Sequence, residues 1–182
     1  YAGNPLVVIT VSLLIVSGGI GFLTWDDIRK HKFRLREYRL QSKIILSATA
    51  ILIILPAVWF FFFDFSSEST GRRILMSLFM AITPRTAGSN TADLNSMTSA
   101  SKFITILLML TGGASGSTAG GIKINTVTLL FIAMISIFRR NRDVNVFRRR
   151  ISDAIIRRAA AVASLYITLW ALGGIAISAI EG

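Results

Sequence analysis

The chain of 182 residues is 53% hydrophobic and only 16% charged, well below the roughly 25% charged residues of soluble domains. This composition favours a membrane protein, and the absence of cysteine excludes disulfides and thiolate metal sites. A formal net charge of +11 fits either a nucleic-acid-binding protein or the basic loops of a membrane protein, and its distribution along the chain decides between them.

Three uncharged segments are long enough to cross a bilayer core of about 30 Å, which takes about 20 helical residues. They are residues 6–25, 44–63 and 159–180. Three glycines near the end of the first segment would let a neighbouring helix approach closely, and Pro56 predicts a kink in the second. We expect an all-α protein that crosses the membrane several times.

The chain between the second and third spans is less regular. Residues 73–83 are apolar but too short to cross the membrane, which predicts a re-entrant helix followed by the polar turn PRTAGSNTADLNS. Residues 101–138 are apolar over more than one crossing, but the sequence GGASGSTAGG at 112–121 interrupts them. We therefore expect a helix that is broken inside the membrane or close to it.

Positive charge is concentrated in two segments. Residues 26–43 hold seven and residues 139–158 hold eight of the 20 lysines and arginines. The positive-inside rule places both segments in the cytoplasm and the neutral stretch 64–98 outside, an orientation that agrees with the number of spans. Because cytoplasmic loops of membrane proteins are usually basic, we expect no binding to nucleic acid.

The polar turn has the setting of an ion-selectivity filter. A potassium filter is a short extended segment whose backbone carbonyls replace the water shell of the ion, and glycine permits the backbone angles that this needs. Gly88 lies in such a turn, between a short apolar helix and a span. An ordinary extracellular loop is the alternative.

The glycine-rich break indicates a mobile constriction. Non-helical backbone persists at membrane depth only where protein or a water-filled cavity surrounds it, and a tight helix-packing contact is the alternative. A nucleotide P-loop is disfavoured, because it needs Gly-Lys-Ser/Thr and Ile122 separates Gly121 from Lys123. Lys123 is expected to pair with a carboxylate or carbonyl, to repel cations, or to extend to the membrane surface.

No set of catalytic residues is recognisable in the sequence. The single histidine, His31, lies among lysines and arginines, and the carboxylates are scattered over loop positions. We expect the protein not to be an enzyme, with no covalent cofactor.

TPRTAGSNT, followed after about twenty residues by GGASGSTAGGIK, resembles the KtrB/TrkH family of bacterial potassium transporters, and KtrB more closely. The resemblance covers essentially the whole chain. It implies four repeats of helix, pore loop and helix around one pore. Residues 6–25 would be the last helix of repeat two, 44–138 repeat three with its pore loop at 73–90, and 159–180 the first helix of repeat four.

The resemblance also implies roles for single residues. The filter of repeat three would be Thr86, Ala87, Gly88, Ser89 and Asn90, with K⁺ bound by backbone carbonyls of the first four. An intramembrane gating loop at 112–123 would block the pore, and its residues would be Gly112, Gly113, Ala114, Ser115, Gly116, Ser117, Thr118, Ala119, Gly120, Gly121 and Lys123.

Subunits of this family form homodimers in the plasma (inner) membrane on a cytoplasmic ring of KtrA/TrkA type, which binds the regulatory nucleotide. The resemblance implies the same partners here, with residues 26–43 and 139–158 facing the ring. The chain has one filter segment where a subunit needs four. Either it is part of a longer protein or several copies assemble, and we expect the first.

The expected function is therefore K⁺ uptake across the cell membrane by the pore-forming subunit of a channel-like transporter. The first rival is a secondary transporter or symporter with its substrate site at the helix break. The second is a membrane scaffold that transports nothing and binds soluble partners through its basic loops.

Overall fold

The computed structural model describes residues 4–32, 34–85, 88, 94, 97–140, 143–147 and 149–181. These residues fall into two compact units, one ending at Ile124 and the other beginning at Asn125, and each is described by itself. The first unit contains five α-helices and a 3₁₀ turn at Leu35–Glu37: α1 (Pro5–Ile20), α2 (Phe22–His31), α3 (Leu40–Phe63), α4 (Thr70–Ile82) and α5 (Ser99–Leu110).

The predicted span over residues 6–25 is wrong as a single helix. Helix α1 ends at Ile20, and α2 begins at Phe22 at an angle of 96° to it. The corner between them is Gly21, with φ +85°, in the region of backbone space that favours glycine. The helix therefore breaks inside the segment whose composition predicts one continuous crossing.

The first unit contains one unbroken span. Helix α3 contains the predicted segment 44–63 and begins four residues earlier, at Leu40, and its 24 residues reach about 36 Å. Pro56 lies inside the helix and is buried, and α3 continues past it as one helix. Two helices in the described part of the chain are long and apolar enough to cross a membrane alone, α3 and the last helix, while α1 and α2 together form a third, bent candidate.

Helix α2 is fastened to the start of α3 through the buried carboxylate of Asp27. One oxygen of Asp27 accepts hydrogen bonds from the Ser42 hydroxyl at 2.6 Å and from the backbone N–H of Arg39 at 3.0 Å. The guanidinium Nε of Arg39 lies 3.5 Å from the other oxygen. The residues between the two helices are therefore held at their last member, Arg39.

Helix α4 is a short helix packed on α3 and α1. At 13 residues it is about 20 Å long, too short to cross a bilayer, as the sequence predicts for residues 73–83. Its buried end joins one hydrophobic cluster with α3, α5 and the segments beside them: Ala57, Phe60, Phe65, Met80, Ala81, Met97 and Leu108.

Asp64, the residue that caps the end of α3, joins α3 to the start of α5. Its carboxylate accepts hydrogen bonds from the backbone N–H of Thr98 at 3.0 Å and from the hydroxyl of Ser101. The indole N–H of Trp59 donates to the same Ser101 hydroxyl at 3.1 Å. These bonds hold together the two ends of the stretch that contains α4 and the predicted filter.

The second unit contains α6 from the boundary onward, a β-hairpin and a long last helix: α6 (Ile124–Phe138), β1 (Val144–Val146), β2 (Arg149–Ile151) and α7 (Asp153–Glu181). The strands are antiparallel, with Val144 opposite Ile151, and the guanidinium of Arg150 pairs with Asp143 at 2.9 Å. The hairpin is an addition to the predicted all-α fold. Helix α7 contains the predicted span 159–180, and most of its apolar side chains are exposed.

We expect Asp64→Ala to destabilise the full-length protein, because it removes the acceptor of two hydrogen bonds to a charged group, each worth about 1.5–3 kcal/mol. Thermal unfolding in detergent measures the effect. The control is Glu68→Ala, which removes only a surface ion pair with Arg72 at 3.5 Å, worth about 0–1 kcal/mol. Equal stability of the two variants would contradict the role given to Asp64.

Candidate gate and filter

The break predicted at 112–121, inside the apolar residues 101–138, is present. Helix α5 ends at Leu110, α6 begins at Ile124, and the residues between them form a loop. A parallel bridge between Thr111 and Ile122 closes the neck of this loop. The N–H of Gly112 donates to the carbonyl of Ile122 at 2.9 Å, and the N–H of Ile122 donates to the carbonyl of Leu110 at 3.1 Å. The two ends of the loop therefore lie side by side and form a narrow neck.

The neck can be this narrow because glycines line it. A Cβ atom at Gly112 would lie 1.6 Å from the carbonyl oxygen of Gly120, far inside any possible contact distance. The same Cβ would lie 2.9 Å from the Cα of Gly121. The glycines of the sequence break are thus required where the two sides of the loop cross.

The loop is docked in the corner between α1 and α2. The N–H of Ala114 donates to the carbonyl of Gly19 at 2.8 Å, and the N–H of Phe22 donates to the carbonyl of Gly116 at 3.2 Å. The end of α1 supplies an acceptor and the start of α2 supplies a donor, so the loop bonds backbone groups on both sides of the corner. The two helix breaks, 95 residues apart in the sequence, thus supply hydrogen-bond partners for each other's backbone groups.

The docking is tight on both sides. A Cβ atom at Gly21 would lie 2.9 Å from the carbonyl oxygen of Ser115, and one at Gly18 would lie 3.2 Å from the Thr118 hydroxyl. The sequence gives these glycines the role of a contact between helices. Instead they pack against the loop at 112–123. The sequence does not show that these two glycine-rich segments contact each other.

Ala114 anchors the loop in the core of the first unit. Its side chain is fully buried and belongs to a hydrophobic cluster with Ile45, Ala48 and Ile124. The loop thus contacts α3 as well as the corner between α1 and α2.

Lys123 interacts with a carbonyl, one of the alternatives that the sequence leaves open. Its ammonium group donates to the carbonyl of Ala119 at 2.7 Å, so the side chain folds back onto its own loop. A nucleotide P-loop does not fit this arrangement, because the segment before the loop is the helix α5 rather than a strand, and the lysine is engaged within the loop.

The described residues contain one member of the predicted filter. Gly88 has φ +70°, a left-handed backbone conformation, and it is exposed, with open space where a Cβ atom would be. Four predicted filter residues lie outside the described part of the chain: Thr86, Ala87, Ser89 and Asn90. Gly88 thus has backbone angles that suit a filter turn, and the filter itself stays a prediction.

Arg85, three residues before Gly88, is a site residue that sequence reasoning missed. In the sequence, Arg85 is only one of the charges that cancel in the neutral stretch 64–98. Its side chain is buried and lines a small cavity together with Gly19 and Gly113. An arginine directly before a filter-like turn was the available signal.

Comparison with known proteins agrees with this architecture. A model of the TrkH family, described as a cation transport protein, matches residues 1–180. The potassium transporter TrkH from Vibrio parahaemolyticus has a similar structure, with a TM-score of 0.77 at 14% sequence identity over 93% of this chain and 38% of that one. At that identity the likeness shows the fold.

Two curated relatives are each 34% identical to the chain. Ktr system potassium uptake protein B of Bacillus subtilis (strain 168) aligns with 100% of it, and potassium/sodium uptake protein NtpJ of Enterococcus hirae with 98%. The chain spans 42% and 40% of the length of these two relatives.

The helical membrane fold and the docked intrahelical loop define a polytopic membrane transport protein. The chain belongs to the TrkH family of cation transport proteins. The resemblance seen in the sequence is thereby confirmed, and so is the expectation of a transporter rather than an enzyme.

We expect Gly112→Ala to displace the loop, because the added Cβ meets the backbone of Gly120 and overpacking costs about 1–3 kcal/mol or more. Thermal unfolding of the full-length protein in detergent measures the loss. Gly71→Ala is the matched control, since a Cβ there meets no atom within 4 Å and lies in helix α4. Unchanged stability of Gly112→Ala would contradict the close neck.

Proposed function

We propose that this chain is the central part of the pore-forming subunit of a channel-like K⁺ uptake transporter. The observation that carries the proposal is the loop at 112–123, which lies inside a broken apolar helix and is docked in a second break. The names of the relatives, a potassium uptake protein and a potassium/sodium uptake protein, support the choice of ion.

Selectivity in this proposal rests on backbone carbonyls of residues 86–89. Support comes from the left-handed backbone of Gly88 and from α4, which ends at Ile82 shortly before the turn. The C-terminal end of a helix carries a partial negative charge, which favours a cation close to it. Neutral backbone carbonyls can replace the water shell of K⁺. The helix end adds only a partial negative charge, so the ion is not held too tightly to leave.

Gating rests on the loop. Its position is set by a few backbone hydrogen bonds to Gly19 and Phe22 and by one small apolar anchor, Ala114. Such contacts hold the loop in place and break at moderate cost when the corner between α1 and α2 moves. The bridge between Thr111 and Ile122 joins the two ends of the loop to each other and is separate from the docked part.

The full-length subunit is proposed to form a homodimer in the plasma (inner) membrane, on a cytoplasmic ring of KtrA/TrkA type that binds the nucleotide. Support comes from the two basic segments, residues 26–43 and 139–158, which hold most of the positive charge. In the second segment, Arg149 and Arg150 are exposed on strand β2. Arg150 already pairs with Asp143 at 2.9 Å, and the exposed Arg149 beside it suits a contact with acidic groups of a soluble partner.

We expect Gly88→Asp in the full-length protein to abolish selective uptake, because a side chain at φ +70° strains the turn and a carboxylate adds a fixed charge. Growth at low K⁺ of a strain that lacks other uptake systems, and Rb⁺ uptake in competition with Na⁺, measure the loss. The matched control is Gly71→Asp, at an exposed glycine of α4. Full discrimination between K⁺ and Na⁺ in Gly88→Asp would rule out the filter.

We expect deletion of residues 114–119 to raise K⁺ flux, because it removes the docked part of the loop and keeps the neck. Gly113 and Gly120 can be joined, since the two sides of the loop almost touch at Gly112. Initial uptake rates in proteoliposomes measure the flux, with Thr118→Ala as the control that keeps the backbone. An unchanged or lower flux in a folded deletion variant would favour a packing role for the loop.

A further inference from the structure

Two neighbouring grooves lie on the surface where α2 leads into α3. One has a volume of about 340 Å³ and is lined by Lys30, His31, Lys32, Arg34 and Glu37. The other has a volume of about 490 Å³ and is lined by Ile28, Lys32, Leu35, Tyr38 and Leu46. Both volumes are in the range of small-molecule sites. Because Lys32 lines both, a cationic groove and a largely apolar groove meet at one residue.

Lys32 supplies the charge of the cationic groove that is available to an anion. Lys30 is paired with Asp26 at 2.8 Å, and Arg34 is paired with Glu37 at 3.5 Å. Among the residues that the structure describes, none forms a hydrogen bond or an ion pair with the ammonium group of Lys32. The two ion pairs beside it are exposed and therefore weak, so an anion bound at Lys32 can also attract their cations.

The backbone around the grooves is held in place without a ligand. Lys32 caps the end of α2 with φ +47°, in the region of backbone space that favours glycine, and its carbonyl accepts a hydrogen bond from the hydroxyl of the buried Tyr38. The ammonium group of Lys43 donates to the carbonyl of Arg36, in the 3₁₀ turn, at 2.8 Å. A site that is already ordered loses less conformational freedom when a ligand binds.

The apolar groove lies where the second span begins. Leu46 is the third residue of the predicted segment 44–63 in α3. Leu35, at the other side of the groove, is 61% exposed although basic residues flank it in the sequence. Ala50 and Ile54, one and two turns further along α3 from Leu46, are exposed as well. An apolar surface therefore runs from the basic segment along the start of the span, as at the boundary between lipid headgroups and acyl chains.

We propose that the two grooves together bind one anionic phospholipid of the cytoplasmic leaflet, the side to which the positive-inside rule assigns these residues. The phosphate lies against Lys32 and its neighbours Lys30 and Arg34, and an acyl chain lies in the apolar groove towards Leu46. A soluble phosphate would satisfy the charge and leave the apolar groove without a partner. Basic pockets between membrane helices on the cytoplasmic side bind acidic lipid headgroups in other proteins.

The lipid site goes beyond the proposed function, because it needs a membrane protein but neither a filter nor a gate. The same basic segment is proposed to face the cytoplasmic ring. The experiment therefore uses the full-length subunit without the ring, so that only lipid is present to occupy the grooves.

The test places the photo-crosslinking amino acid p-benzoylphenylalanine at Leu35 of the full-length protein in nanodiscs. The nanodiscs contain equal amounts of dioleoylphosphatidylglycerol and dioleoylphosphatidylcholine, and mass spectrometry of the adducts gives the ratio of the two lipids. We expect phosphatidylglycerol to be enriched about fivefold or more over its share of the nanodisc, and this enrichment to fall about fivefold in Lys32→Gln, since one cation near the membrane surface has about this effect.

Arg29→Gln is the matched control. It removes one positive charge from an exposed position of α2 that lines neither groove, so the enrichment should persist. An excess of glycerol 1-phosphate in the buffer tests the other source of the same chemistry. We expect it not to displace the lipid, because it lacks the acyl chain that fills the apolar groove.

Four outcomes would overturn the proposal: a lipid ratio equal to that of the nanodisc, an enrichment that survives Lys32→Gln, an equal loss in Arg29→Gln, or displacement by glycerol 1-phosphate. Absence of any lipid adduct at residue 35 would also overturn it, because protein would then cover the grooves. K⁺ uptake is measured separately in proteoliposomes. A wild-type protein without uptake would contradict the proposed function and leave the lipid site standing.

Discussion

The structure depends on one constraint: backbone polar groups at membrane depth must find partners within the protein. Helix α1 breaks at Gly21, and α5 and α6 are separated by thirteen residues without helix. Each break frees backbone groups that a continuous helix would satisfy. The bonds from Ala114 to Gly19 and from Phe22 to Gly116 let one break supply partners to the other. The corner and the loop are therefore one structural feature.

In the proposed gate, this mutual dependence limits how the loop can move. An unpaired buried backbone group costs roughly 1–3 kcal/mol, so withdrawal of the loop is favourable only if water or a changed corner replaces its bonds. Such an arrangement favours two discrete states over a continuous series of positions, because the groups are either paired with the loop or paired otherwise. The small size of Ala114 keeps the apolar part of the cost low.

The sequence predicts what composition and local pattern encode. The spans at 44–63 and 159–180 and the break at 112–121 follow from hydropathy and glycine content, and the helices contain or border them as expected. The bend at Gly21 does not follow, because glycines that receive a loop have the same composition as glycines that receive a helix. The burial of Arg85 is likewise a tertiary property: a charge count treats it like any surface arginine.

In the proposed gate, the loop has two sets of contacts, the neck at Thr111 and Ile122 and the corner between α1 and α2. The neck bonds the two ends of the loop to each other, and none of these bonds involves the corner between α1 and α2. The corner is different, since Phe22 begins α2 and bonds the loop directly. Helix α2 is in turn fixed by Asp27 to Arg39, just before α3, and to Ser42 in the first turn of α3. In the proposed gate, movement of the segment before α3 would therefore reach the loop through Asp27 and helix α2.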